Sequence, residues 1–308
     1  MPLPQAFHDL AAEVNNWGRW GDKDQLGTLN LITDEVVRRG AACIRTGKRF
    51  SLSMLLSADG PQIGAVAGRI NPVHLMTQVV YPDLGDPLGF HSSDDVISMG
   101  LQAATHWDAL AHVSYAGRMW NGYDVNVVTP RGAAKCGIDK VKTLVGRGVL
   151  LDVARAHGVD RLEGGHPVTS ADLDAAVALA GVTVEPGDIV LVRTGQVQHF
   201  LAGDKVAYTH PAAGLSMESS RWFRTHDVAA VATDTMIFEV WPPESTDAML
   251  PVHLLNIVEI GLTQGQNWVL EELAADCAAD GVYTFFLDAS PLPVLGGCGS
   301  PVNPVAVK

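Results

Sequence analysis

Four side chains suited to metal binding or proton transfer fall within eleven residues, in Gln102-Ala-Ala-Thr-His-Trp-Asp-Ala-Leu-Ala-His112. His106 and Asp108 are two residues apart, so an extended chain projects both to one face. An imidazole beside a carboxylate on a rigid strand can hold a divalent ion such as Zn²⁺ or Mn²⁺. His112 follows Asp108 by four residues. If the chain bends into a helical turn, His112 can bind a second metal or move protons. The same spacing also suits hydrogen-bonded core groups, for instance Asp108 as a helix cap. The sequence has 11 histidines, and the others carry weaker signals. His8, His157, His199 and His226 sit among polar residues and read as surface groups. His74 and His91 read as core or loop hydrogen-bonding groups.

The elements that must position these residues have an α/β pattern. Short β-branched runs at 149–154, 188–194, 228–234 and 282–288 read as buried strands. Three segments between them read as helices. Residues 169–180 open on hydroxyl caps and stop at Gly181. Residues 216–225 have Ser216 as N-cap, and residues 270–279 end before Asp280-Gly281. Strands and helices mix without strict βαβ alternation. Loops rich in glycine and proline, such as 59–64 and 85–89, are short. No linker, repeat or low-complexity tract divides the chain, which predicts a single domain over residues 1–308. Glycines around Gly148 and Gly195 form no phosphate-binding motif.

Composition narrows the class of function. Hydrophobic residues make up 47% of the 308 and charged residues 18%, enough for a large core. The net charge of −13 repels nucleic acid and anionic membrane surfaces, so neither is an expected partner. The 4 cysteines are scattered without a C-x-x-C pair, which argues against a structural zinc cluster of thiolates and suits a reducing compartment. No signal peptide or membrane span is visible, and the cytoplasm is the expected location.

The segment Gln102-x-x-Thr-His-x-Asp-x-x-x-His112 resembles the H-x-G-T-H-x-D-x-P-x-H motif of the cyclase family, which includes bacterial kynurenine formamidase and isatin hydrolase. Residues 16–30, Trp107–Val113, Gly214-Leu-Ser, Thr233-Asp-Thr235 and 299–304 resemble its longer branch. The resemblance implies a compact swivelling β/β/α fold, an α/β architecture assembled as a homo-oligomer around a small-molecule substrate. It also implies metal ligation by His106 and Asp108, with His112 as base or as ligand to a second metal. The family's first histidine falls at Gln102, a weaker zinc ligand. Its downstream histidine matches His253, a second proton carrier, and its glutamate position falls at Gln266. Glu259, Glu271 and Glu272 are neighbouring carboxylates. Thr105, Trp107 and Gln266 are expected to support the ligands, and Trp17, Trp20, Trp107 and Trp120 to wall an aromatic-accepting pocket or else pack in the core.

With two ligands replaced by neutral amides, one divalent metal, Zn²⁺ or Mn²⁺, is expected rather than two. Three functions fit these residues: a metal-dependent hydrolase of a small cyclic amide, lactone or N-formyl compound; a metal-independent lyase, dehydratase or isomerase using His112; or a non-catalytic small-molecule-binding protein.

Overall fold

A computed structural model describes residues 3–81, 89–245 and 247–308, so residues 85–88 of one predicted loop lie outside it. Among the described residues, nine strands form one mixed sheet. In chain order they are β1 (Arg49–Ser51), β2 (His106–Asp108), β3 (Val145–Asp152), β4 (Ile189–Arg193), β5 (Ala230–Thr233), β6 (Thr263–Gln266), β7 (Thr284–Asp288), β8 (Gly299–Pro301) and β9 (Val305–Val307). Their order across the sheet is β1-β9-β7-β3-β4-β5-β6-β2-β8. The run β3-β4-β5-β6 is parallel, and the flanking pairs are antiparallel. The four runs predicted as buried strands are the adjacent strands β7, β3, β4 and β5. The architecture is the expected mixed α/β fold.

Helices form where local chemistry favours them. Ser170–Ala180 has Thr169 as its cap, closed reciprocally by Asp172 in a capping box, and Gly181 ends it at φ 62°. Glu271–Asp280 stops at Gly281 in the same way. The helix predicted from Ser216 begins instead at Ser219. Ser216 Oγ accepts the Ser219 amide at 3.3 Å, closing a turn ahead of the helix instead of capping it.

Alternation along the strands sorts the sheet's two faces. One face carries Val149, Leu151, Val190, Val192 and Val231, packed against Leu173, Phe223, Val252 and Leu255. The other carries Leu150, Leu191, Ala232, Trp107, Trp268 and Phe285. Cross-strand partners share a face. Val190 is opposite Val231, which is opposite Gln264. Gln266 is opposite His106, and Asp108 is opposite Gly299. The valine-lined face therefore continues into the Gln264 and Gln266 amides of β6 and the His106 imidazole and Asp108 carboxylate of β2.

Among the described residues, a separate hairpin, Val73–Tyr81 with Ser92–Ser98, pairs with itself and not with the large sheet. Val73, Leu75, Met76, Val96 and Ile97 on it are exposed. His74 bonds Asp95 there at 2.8 Å, an exposed pair rather than a core contact.

Asp234, just past β5, is buried and ties the end of β4 to β5. It accepts the Thr194 amide and hydroxyl at 2.9 and 2.7 Å and the Gly195 amide at 2.7 Å. Burial pushes its carboxyl up to about 6, against the opposing pull of the Thr194 bonds and Arg193. The native state thus holds this proton more tightly than the unfolded chain does, so the group's stabilisation is lost as pH rises from the unfolded value towards about 6. Asp234→Asn removes that dependence. Its stability deficit against wild type should shrink by on the order of 3 kcal/mol between pH 4 and pH 7. Urea denaturation at both pH values checks this, and a constant deficit contradicts it.

Candidate metal centre

Asp108 is fully buried, and three imidazoles surround its carboxylate. His106 Nε2 is 3.4 Å and His112 Nε2 is 3.6 Å from Asp108 Oδ1, and His253 Nε2 is 4.0 Å from Oδ2. His106 and Asp108 come from β2 and share its face. His112 follows on a turn closed by its own amide to the Ala109 carbonyl at 2.9 Å. His253 comes from Pro251–His253, a helical turn that runs on as the π-helix Leu254–Ile260 and crosses back into β6. The side chains of His106 and Asp108 are 0% exposed, His253 5% and His112 20%, so the cluster opens to the surface at His112.

Hydrogen bonds fix the tautomers. His106 Nδ1 is 2.7 Å from the Ala104 carbonyl, which can only accept, so Nδ1 carries the proton and Nε2 presents a lone pair. His253 Nδ1 donates to Glu239 Oε1 at 2.5 Å, leaving Nε2 as an acceptor. The Gln266 amide donates to that nitrogen at 3.2 Å and to Asp108 Oδ2 at 2.7 Å. A continuous chain Glu239–His253–Gln266–Asp108 results. Glu239 also accepts the amides of Val252 and His253 at 3.1 and 3.0 Å, anchoring the start of the helix.

Burial pushes the Asp108 carboxyl up, but His112, His106 and His253 outweigh it and hold the group well below the usual carboxylate range. Burial pushes the His112 imidazolium down; Asp108 opposes this, while His253, His106 and Arg69 reinforce it, and the net direction is down. Arg69, missed in the sequence, is thus within electrostatic reach of both groups. Among the described residues no hydrogen bond or ion pair engages its guanidinium.

Within this cluster, two buried side-chain atoms are without a hydrogen-bond partner among the described residues: His106 Nε2 and Asp108 Oδ1. Both are lone-pair donors facing each other, and leaving them unsatisfied is costly. Two ligands each about 2.1 Å from one ion at the tetrahedral angle stand about 3.4 Å apart, which is their separation. This donor pair fits a divalent cation. His112 Nε2 is also close to Asp108 Oδ1, at 3.6 Å, but the donors of His106, Asp108 and His112 do not all fall within 4.8 Å of one another, so His112 stands apart from His106.

The remaining expected site residues divide. Gln102 lies against Gly299, where an added Cβ would come 2.6 Å from Gln102 Nε2. Gly299 is opposite Asp108 in β8, which puts the Gln102 amide on the face that carries Asp108. Thr105 does not reach the cluster: its hydroxyl donates to the Asn267 carbonyl at 2.5 Å and accepts the Met54 amide at 2.8 Å. Trp107 points to the opposite face, bonding the Ala289 carbonyl at 2.8 Å and packing edge-on against Trp268. It belongs to the core and not to a pocket wall. Trp120 is buried and bonds Asp24, with Trp20 against it, and Trp17 bonds the Val258 carbonyl at 2.6 Å. Glu259 holds Asn15 and the Tyr115 hydroxyl, Glu271 pairs with Arg193, and Glu272 is exposed. The carboxylate that reaches the centre is Glu239, missed in the sequence; its signal was a lone acid in the apolar run Ile237-Phe-Glu-Val-Trp241.

Segment 16–30 has a structural task at this centre. Asn16 donates its backbone N–H to Glu259 O and its side-chain amide to Ile260 O, Trp17 donates to Val258 O, and Thr28 donates its backbone N–H to Gly261 O. These bonds satisfy the last carbonyls of the helix that carries His253. Gly27 passes so close that a Cβ there would meet Gly261 O at 2.0 Å.

Gln266→Glu would set a second carboxylate against Asp108 in place of a donor. The metal-free variant should lose about 2–4 kcal/mol of stability. Zn²⁺ or Mn²⁺ should restore more stability to it than to wild type. Thermal melts with and without metal check this; equal responses would place position 266 outside the cation's reach.

The sequence and the fold both have relatives. No curated protein matches the chain. A crystal structure described as a novel cyclase is 38% identical, with a TM-score of 0.87, over 96% of this chain and 99% of its own. Isatin hydrolase A from Labrenzia aggregata shares the fold at 20% identity and a TM-score of 0.63, over 86% of this chain and 94% of its own. A predicted metal-dependent hydrolase from Bacillus stearothermophilus shares it at 15% identity and a TM-score of 0.51, over 85% and 98%. The cyclase family model matches residues 14–240, which contain His106, Asp108, His112 and Glu239. With that match and a 38% identical relative of the same length, the chain belongs to the cyclase family.

Proposed function

We propose that the chain is a metal-dependent hydrolase of a small cyclic amide, lactone or N-formyl compound. The observation that carries this reading is the pair of buried, partnerless donors His106 Nε2 and Asp108 Oδ1, 3.4 Å apart. These two residues would hold a divalent ion, Zn²⁺ or Mn²⁺, with Gln102 as a further oxygen donor. When bound, such an ion polarises a carbonyl and lowers the pKa of water.

The chain's own groups supply the rest. His112, the member of the cluster nearest the surface, takes the proton of the attacking water at Nε2. Its downward shift keeps the ring unprotonated at neutral pH, the state a base requires. His253 has both nitrogens engaged, by Glu239 and Gln266, so its first task is to hold Gln266 and Asp108 in place. Hydrolysis of an amide, lactone or formamide turns a neutral carbonyl into a carboxylate. Arg69, whose charge acts on both Asp108 and His112, would favour that developing charge. Fold neighbours that include isatin hydrolase support hydrolysis as the reaction class.

Acid release from a panel of lactones, cyclic amides and formamides should depend on a metal measured by elemental analysis and removed by chelation. His112→Ala should lower turnover by roughly 10²–10⁴-fold with the fold intact. Near-normal turnover in that variant would move the proton-carrying role to another group. Binding without metal-dependent acid release would sink the hydrolase reading.

We also propose that the chain assembles with copies of itself through the Val73–Tyr81/Ser92–Ser98 hairpin. A lone two-stranded hairpin is marginal in water, and this one leaves Leu75 59% and Val96 49% exposed. A second copy supplies the missing cover. Light scattering should give a multiple of the 308-residue mass for wild type and a smaller species for Leu75→Glu with Val96→Glu. A monomeric wild type would refute the assembly.

A further inference from the structure

We propose that His157, His166 and Asp172 form a second cation site, separate from the Asp108 centre and selective for a transition-metal ion of the zinc type. Among the described residues, these are three imidazole or carboxylate groups whose donor atoms all lie within 4.8 Å of one another. His157 Nε2 is 2.7 Å from Asp172 Oδ1, and His166 Nε2 is 3.7 Å from Asp172 Oδ2. The two rings meet edge-on with centroids 5.1 Å apart.

Three elements bring these donors together. His157 closes the short helix Val153–Ala156 that follows β3. His166 precedes the short strand Pro167–Val168, with its amide on the Glu163 carbonyl and its carbonyl accepting the Gly214 amide. Asp172 lies in the first turn of Ser170–Ala180. The Thr169 amide and hydroxyl each bond its Oδ2 at 2.8 Å, so the carboxylate is oriented by partners behind it, as metal-ligating carboxylates usually are. Burial pushes the Asp172 carboxyl up, but the Thr169 bonds and His157 outweigh it, and the group is ionised at neutral pH.

A simple ion pair accounts for part of this arrangement. It accounts for His157 and Asp172, but it leaves His166 Nε2 buried and without a hydrogen-bond partner, 3.7 Å from the carboxylate. A cation between the three satisfies that nitrogen. Two imidazole nitrogens and one carboxylate oxygen suit zinc, with water in the fourth position. Magnesium and calcium favour all-oxygen shells and fit poorly. The site is reachable, with His157 37% and His166 29% exposed. Its effect would be to clamp the turn after β3 to the start of the Ser170–Ala180 helix, stabilising the folded chain in proportion to occupancy.

The test uses the full chain with ZnCl₂ and its variants His166→Ala and His157→Ala, which leave the Thr169–Asp172 cap and the Asp108 centre untouched. Equilibrium dialysis should show wild type binding one zinc more than either variant. Zinc should raise the melting temperature of wild type by more than it raises theirs, and MgCl₂ should produce no such difference. Anomalous diffraction at the zinc edge from wild-type crystals should place a peak between the three side chains, which settles the matter even if a variant misfolds. Equal zinc stoichiometry in folded wild type and both variants, or an anomalous map without that peak, overturns the proposal.

Discussion

The centre of this fold is a carboxylate with no access to water. Asp108 is 0% exposed, and burying an ionised carboxylate costs several kcal/mol unless charge and hydrogen bonds replace its hydration. Oδ2 has its replacement in the Gln266 amide, while Oδ1 faces His106 and His112 without receiving a bond. The structure around Asp108 therefore serves two requirements: to keep the carboxylate ionised, and to leave one of its oxygens free. Three imidazoles meet the first without enclosing the second.

Rigidity follows from that demand. A donor pair set 3.4 Å apart must not drift, and β2 is pinned on both edges by β6 and β8. Its middle residue, Trp107, drives an indole into the opposite core, while its neighbours His106 and Asp108 present an imidazole and a carboxylate on the other side. Gly299 lets Gln102 approach where a side chain would block it. The helix carrying His253 is held at its start by Glu239 and at its end by segment 16–30. The N-terminal Trp-rich signature thus contributes as a helix cap and need not touch a ligand.

Much of this was legible because burial writes itself into sequence. Strands β3, β4, β5 and β7 are apolar for most of their length and read as such, and the Ser170–Ala180 helix carried its cap and its stop. The strands that build the centre were not legible as strands. β6 is Thr-Gln-Gly-Gln and β8 is Gly-Ser-Pro, three or four residues long and without an apolar alternation to detect. The His-x-Asp pair was found from its chemistry alone, since β2 is three residues. Glu239 and Arg69 escaped because their meaning lies in groups 14 and about 40 residues away along the chain, a hydrogen-bonded His253 for the first and the charge of Asp108 for the second. His157 reads as a surface residue, yet the fold sets it beside His166 and Asp172.

Gln266 acquires a physical meaning beside Asp108. A glutamate at 266 would be an acceptor facing an acceptor, tolerable with a cation between them. Glutamine reverses the polarity at that point: its amide donates to Oδ2 and to His253 Nε2 together. One change removes a negative charge and adds two hydrogen bonds, so the side of the carboxylate that a second ion would occupy is closed by a donor. Oδ1 receives no hydrogen bond, and it faces His106 and His112. The oxygen left without a bond therefore lies beside the buried ring of His106 and beside His112, whose side chain is the most exposed of the cluster.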